Sequence, residues 1–169
     1  GDYGGSFENR TRLFREIVEG VRSACPQLLL GTRVSITDLY PFVADENDRT
    51  GVPLDLEANL PWVHGFGVDT NDPLEPDWAE PVAFLELARS LGIAMANLTV
   101  GSPYYCPHLQ RPAAYPPSDG YLPPRDPLLE VIRQLRTVRE IKSRVPGLPL
   151  IGGLVCALQR AGGGRTRAL

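Results

Sequence analysis

Leu13, Phe14, Ile17, Val18 and Val21 recur at three- and four-residue spacing, while Arg10, Arg12, Arg15, Glu16, Glu19 and Arg22 occupy much of the remaining surface. That spacing predicts an amphipathic helix over residues 7–24 with Ser6 as its N-cap. Cys25-Pro26-Gln27 breaks it, and residues 28–36 (LLLGTRVSI) follow as a nearly continuous apolar run of strand length. An apolar run without alternation predicts a parallel strand covered on both faces.

Residues 37–77 are crowded with Pro, Gly, Asp and Asn and read as about 40 residues of loop, a length that is usually functional in a compact domain. Pro81 then suits a first helical position, and Val82, Leu85, Ala88 and Leu91 form an apolar face ended by Gly92. Residues 93–100 (IAMANLTV) predict a second buried strand, and 101–125 a second long loop rich in Pro and aromatic residues. Asp126-Pro127 opens a third helix with the apolar stripe Leu128, Val131, Ile132, Leu135, Val138 and Ile141. Pro146-Gly147 stops it, and residues 148–151 form a third short strand running into Gly152-Gly153.

Helix, strand and loop thus alternate three times, which predicts the α/β class with a parallel sheet and right-handed crossovers. The elaborate segments all follow the C-terminal ends of strands, where barrel active sites are built and where doubly wound sheets also bind. Three strands complete neither fold, since an open piece of barrel exposes apolar faces and two parallel edges. The expectation is therefore a fragment of a larger sheet.

Composition narrows the function classes. Seventeen Lys and Arg against twenty Asp and Glu give −3, so the basic excess of a nucleic-acid footprint is missing. No apolar run approaches the roughly 20 residues of a membrane span, and the first residues lack the charged and apolar regions of a secretory signal. Cys25, Cys106 and Cys156 are odd in number and widely spaced, which fits reduced thiols in a cytoplasmic protein better than disulfides or a metal site. Only His64 and His108 are available as imidazole ligands, so no metal is expected. Asn97-Leu98-Thr99 matches a glycosylation acceptor but lies inside a predicted buried strand. The Arg-Gly-rich segment 156–169 has no apolar periodicity and reads as a flexible tail or a truncated or frame-shifted terminus.

Among candidate chemical groups Arg33 is the most informative. In the middle of an apolar strand its guanidinium needs either a carboxylate or a hydrogen-bond-accepting ligand. The segment 101–112 (GSPYYCPHLQRP) places Tyr104, Tyr105, His108 and Arg111 just beyond a strand's C-terminal end, as a ligand-facing loop or as a rigid brace. Cys106 has no neighbouring base in the local sequence and reads as an incidental thiol. Gly152-Gly153 permits either a tight turn or close approach of backbone amides to a phosphate. Glycine-rich phosphate-loop and dinucleotide fingerprints are absent.

Asp2-Tyr3-Gly4-Gly5-Ser6-Phe7-Glu8-Asn9-Arg10 resembles the signature that opens a barrel helix in the old yellow enzyme family, the FMN-dependent NADH:flavin oxidoreductases. Gly31-Thr32-Arg33-Val34-Ser35 is similar to the strand that follows it in that family, and the likeness continues through residues 97–102 to 149–152, covering about 1–155. The resemblance implies a parallel (β/α) barrel of TIM type of which this chain holds about strands 5 to 7. It also implies FMN across the barrel mouth, NAD(P)H as reductant, and a small organic acceptor such as an activated alkene, with a homo-oligomer conceivable for the full-length form. Arg33 corresponds to the residue that reaches the flavin ring, and Gly152 and Gly153 to the first half of the phosphate site. Tyr104, Tyr105 and His108 fall on the substrate-side loop. The family's paired substrate-holding residues belong to an earlier strand, so no catalytic role passes to His64 or His108, and the fragment alone is expected to be inactive. Beyond Gly153 the sequence departs from the family pattern, with Leu154 where relatives often carry Gly. The rival reading is a flavin-free, barrel-derived binding or structural fragment.

Overall fold

The computed structural model describes residues 1–113 and 120–153; Cys156 and the tail 156–169 lie outside the described residues. In chain order the elements are α1 (Phe7–Ala24), β1 (Gly31–Ser35), β2 (Phe42–Ala44), β3 (Gly51–Pro53), a 3-10 turn (Glu57–Asn59), α2 (Ala79–Ser90), β4 (Met95–Thr99), α3 (Pro107–Gln110), α4 (Pro127–Arg144) and β5 (Leu150–Gly152). β1, β4 and β5 form a parallel sheet in the order β1-β4-β5, which does not close on itself, and β2 and β3 form a separate antiparallel hairpin. The hairpin is a correction to the loop expected over 37–77: short strands embedded among Pro and Gly carry too little periodicity to register.

The three long helices start where a side chain accepts from a first-turn amide. The Ser6 hydroxyl accepts from the Asn9 amide at 3.3 Å, and the Asp126 carboxylate accepts from the Leu128 amide at 2.8 Å. α2 begins two residues earlier than Pro81 suggests, because the Asp77 carboxylate accepts from the Ala79 amide at 2.9 Å. Pro81 then sits in the first turn, where its missing N–H needs no partner.

The core lies on one face of the sheet. Ile36, Ala96, Leu98 and Val100 from the strands pack with Leu85 of α2, Ile141 of α4, and Val145 and Leu148 beyond it. Phe14 and Val18 of α1 reach α2 and the turn before β4, with the Phe14 and Phe84 rings 5.0 Å apart. Arg10 pairs with Glu80 at 2.5 Å, tying the first turns of α1 and α2 together.

The opposite face is not covered as an apolar strand run predicts. Met95 and Ile151 are 42% and 49% exposed there, Arg33 is exposed, and Leu29 just before β1 is 85% exposed. Among the described residues β1 and β5 are the edge strands, each paired with β4. The helices repeat this one-sidedness. In α1, Leu13 and Ile17 stay more than half exposed, because the apolar stripe is wider than the single neighbour that covers it.

In α4 the buried line is Glu130, Gln134, Thr137 and Ile141, whereas Leu128 and Leu135 of the predicted stripe are 62% and 56% exposed. Within this polar line Gln134 Nε2 donates to the Leu109 carbonyl, and Glu130 forms an ion pair with Arg125 at 2.9 Å.

Gly20 sits inside α1, exposed and with nothing within 4 Å of a Cβ built on it. Gly20→Ala should therefore stabilise the fold by about 0.5–1 kcal/mol through helix propensity alone. A thermal melt checks this: the midpoint should rise by about 2 °C, and a fall would mean that the surface at Gly20 is covered.

Candidate functional site

Register places the residues of the open face in rows. Gly31 pairs with Met95, Arg33 with Asn97, and Asn97 with Ile151. Arg33, Asn97 and Ile151 thus share one row across all three strands, with Met95 one step toward the N-terminal end. Among the described residues no carboxylate lies within ion-pair distance of Arg33, and the guanidinium is exposed. The dry strand expected from sequence is thus corrected: on an edge strand with one open face, water solvates the charge and no internal partner is required. What results is a cation and an amide on a sheet face, flanked by the apolar Met95 and Ile151, a surface suited to a flat ring with polar edges.

Gly153 packs directly onto this row. A Cβ there would lie 2.3 Å from Asn97 Oδ1 and 3.2 Å from the Leu98 carbonyl oxygen. Its amide already donates to the Leu98 carbonyl at 3.0 Å. A side chain at this position would force Asn97 to shift, and the Gly153 N–H is engaged within the sheet rather than offered outward. Gly152 pairs with Leu98 in the ladder, and a Cβ there would lie 3.5 Å from Val138 of α4 on the other side.

About 7 Å further along the strands, at the spacing of two residues, the chain leaves the sheet. The Gly101 amide donates to the Thr37 carbonyl at 2.7 Å, and the Ser35 hydroxyl lies 3.3 and 3.4 Å from the Thr37 and Gly101 carbonyls, so the loops after β1 and β4 are stitched together. Gly101 has φ +58°, a conformation glycine adopts without strain. Asp38 stands at this junction, half-buried, and burial raises its carboxyl above the ordinary range. Tyr105 is raised too, chiefly by burial and then by the Asp38 charge. This pairing of a carboxyl and a phenol at the strand ends was not legible in the sequence, where Asp38 was one of many acidic residues in a long loop.

The loop after β4 splits into an outer and an inner part. Tyr104 is 91% exposed and Tyr105 38% exposed, while Cys106 and His108 are buried. The Ser102 amide donates to Cys106 Sγ at 3.1 Å, and burial pushes the thiol up to about 11, so it stays protonated and unreactive. His108 Nδ1 lies 2.6 Å from the Tyr121 hydroxyl, and the His108 ring is 4.6 Å from Phe42 of the hairpin. Burial, then the charges of Arg125 and Arg133, push this imidazole down to about 4. The three residues expected on one substrate-side loop are thus divided: Tyr104 and Tyr105 reach the surface, whereas His108 joins the hairpin to the loop as a buried aromatic cluster.

Among the described residues no three His, Cys, Asp or Glu side chains gather as metal ligands, and no helix is long and apolar enough to cross a membrane. Neither a family model nor a curated protein matches the chain.

Proposed function

We propose that this chain is a sector of an FMN-dependent NADH:flavin oxidoreductase of the old yellow enzyme type, contributing about the fifth to seventh strands of a (β/α) barrel. The observation that carries the reading is Arg33: a guanidinium with no carboxylate within ion-pair distance among the described residues, held in register with Asn97 on the open face of a parallel sheet whose other face is the packed core. The exposed parallel edges and the half-exposed apolar stripes of α1 and α4 support barrel neighbours on both sides.

The residues fit the flavin in part. Arg33 is available to the electron-rich edge of the ring, with Met95 and Ile151 as apolar floor. Gly153 offers no amide, because its N–H is engaged by Leu98, so the phosphate has no donor from that position. FMN, when bound, supplies the capacity to take a hydride from NAD(P)H and deliver it to an organic acceptor such as an activated alkene. The chain's own contribution is to hold a fixed positive charge beside the ring, to stack apolar side chains under it, and to present the Tyr105 hydroxyl and the half-buried Asp38 carboxyl at the strand ends.

The second reading, a flavin-free binding or structural piece, draws on the engaged Gly153 amide and the division of the substrate-side loop. Purification of the gene product that carries this sector separates the two. Oxidoreductase function predicts about one FMN per chain and NAD(P)H consumption that depends on an activated alkene. A folded protein without bound flavin, to which added FMN does not bind, would establish the second.

A further inference from the structure

On the helical side of the sheet, away from Arg33, two cavities meet beneath Trp78. The outer one is a groove of about 530 Å³ between the 75–78 segment and α4, with Arg125, Arg133 and Arg136 as well as Glu75 and Glu140 on its walls. The inner one is a pouch of about 20 Å³, reaching Val100 at the end of β4. Both are bounded by Pro76, Trp78, Arg133 and Thr137, so the two adjoin.

The pouch has two buried polar atoms without a partner, Thr37 Oγ1 and Gln134 Oε1. Their residues are 5% and 2% exposed. Gln134 is fixed in orientation because its Nε2 donates to the Leu109 carbonyl, which leaves the amide oxygen as an acceptor that needs a donor. A buried acceptor left unmet costs about 1–3 kcal/mol. The space suits one water-sized group, and a hydroxyl satisfies both atoms by donating to Gln134 and accepting from Thr37.

The groove supplies the opposite requirement. Arg125 is committed to Glu130, and Arg133 gives one Nη2 hydrogen bond to the Leu74 carbonyl at 2.8 Å. Among the described residues no carboxylate lies within ion-pair distance of Arg133 or Arg136, while Glu140 is held by Arg144 at 2.8 Å. Two guanidiniums at i and i+3 on α4 share one face of the helix, a spacing that lets both reach one oxyanion.

We infer that the groove and pouch together bind a small organic anion bearing a hydroxyl: the oxyanion on Arg133 and Arg136, a short apolar stem along Trp78, and the hydroxyl between Thr37 and Gln134. This site is independent of the flavin reading, since it lies on the other face of the sheet and uses none of the same residues.

The full chain titrated with 4-hydroxybutyrate, followed by tryptophan fluorescence and amide chemical shifts, tests it. Saturable binding is expected, with butyrate about tenfold weaker because it leaves the pouch atoms unmet. Thr37→Val should weaken 4-hydroxybutyrate about five- to tenfold and leave butyrate unchanged. Arg136→Gln should weaken both ligands, and Arg139→Gln neither. Glycerol 3-phosphate, titrated alongside, distinguishes a phosphate from a carboxylate head by which binds more tightly. Absence of saturable binding by both hydroxylated anions overturns the proposal. So does equal affinity for butyrate and 4-hydroxybutyrate in the wild-type chain, a comparison that stands even if Thr37→Val does not fold.

Discussion

Gly67→Ala should destabilise the fold by about 3 kcal/mol, the largest effect expected of any single methyl group added to this chain. Gly67 has φ +71°, and a Cβ there would lie 2.0 Å from the Ile36 carbonyl oxygen and 3.0 Å from Pro81 Cγ. The left-handed conformation alone costs a substituted residue about 1–2 kcal/mol. The clash is with backbone at the end of β1, so no rotamer change relieves it. Around Gly67 the chain is bound on both sides: the Asp38 amide donates to the Phe66 carbonyl at 2.8 Å, and the Asp77 amide to the Gly67 carbonyl at 3.2 Å. The alanine must therefore push the 66–77 segment off the strand end and away from the start of α2, disturbing the junction that carries Asp38. Against a typical total of about 5–15 kcal/mol this is a large loss. Urea unfolding measures it, with Gly4→Ala as the control because nothing lies within 4 Å of a Cβ there. A loss for Gly67→Ala no greater than the control's would mean that the segment does not pack on the strand end.

Acid should weaken the fold through His108. Its folded-state value of about 4 lies below the ordinary 6.5, so the unfolded chain takes up the proton first as the pH falls. The neutral imidazole's contribution is complete above about pH 6.5, is lost progressively between 6.5 and about 4, and changes no further below that. At about 1.4 kcal/mol per pH unit the interval is worth up to about 3 kcal/mol. Carboxylates titrate in the same range, so the informative quantity is the difference between wild type and His108→Gln. That difference should shift against the wild type by about 2–3 kcal/mol between pH 7.5 and pH 4. A constant difference across the range would place His108 in contact with water rather than between Phe42 and Tyr121.

The elements that sequence revealed are those with strong local causes. α1 and α4 have capping side chains and long apolar stripes, and they begin and end within a residue of where those signals place them. β1 and β4 were recognisable as apolar runs, but the run does not say whether a second layer exists. Arg33 marks the difference: within the chain it appeared trapped in a dry strand, whereas in three dimensions it occupies an edge strand's open face. The β2–β3 hairpin escaped notice because three-residue strands have no measurable period, and its fixing contacts, the Phe42 amide to the Tyr105 carbonyl and the Gly51 amide to the Leu122 carbonyl, span more than sixty residues.

Of the candidate site, Arg33, Gly152 and Gly153 were visible as residue types out of place or at a strand end. Asn97 and Asp38 were not. Asn97 matters only because register sets it beside Arg33 and Gly153 closes on it. His108 has the chemistry and the loop position of a ligand-facing residue, yet its side chain turns inward to Tyr121.

We propose that Arg33 faces a flavin ring, and the midpoint potential of the flavin in the gene product carrying this sector tests this most directly. Hydride uptake places negative charge on the ring edge, which a fixed guanidinium stabilises more in the reduced than in the oxidised state. Arg33→Leu should therefore lower the potential by about 30 mV or more, equivalent to about 1.4 kcal/mol in a two-electron couple, and weaken FMN binding about tenfold. A folded Arg33→Leu protein that holds FMN as tightly and at the same potential as the wild type would contradict the assignment.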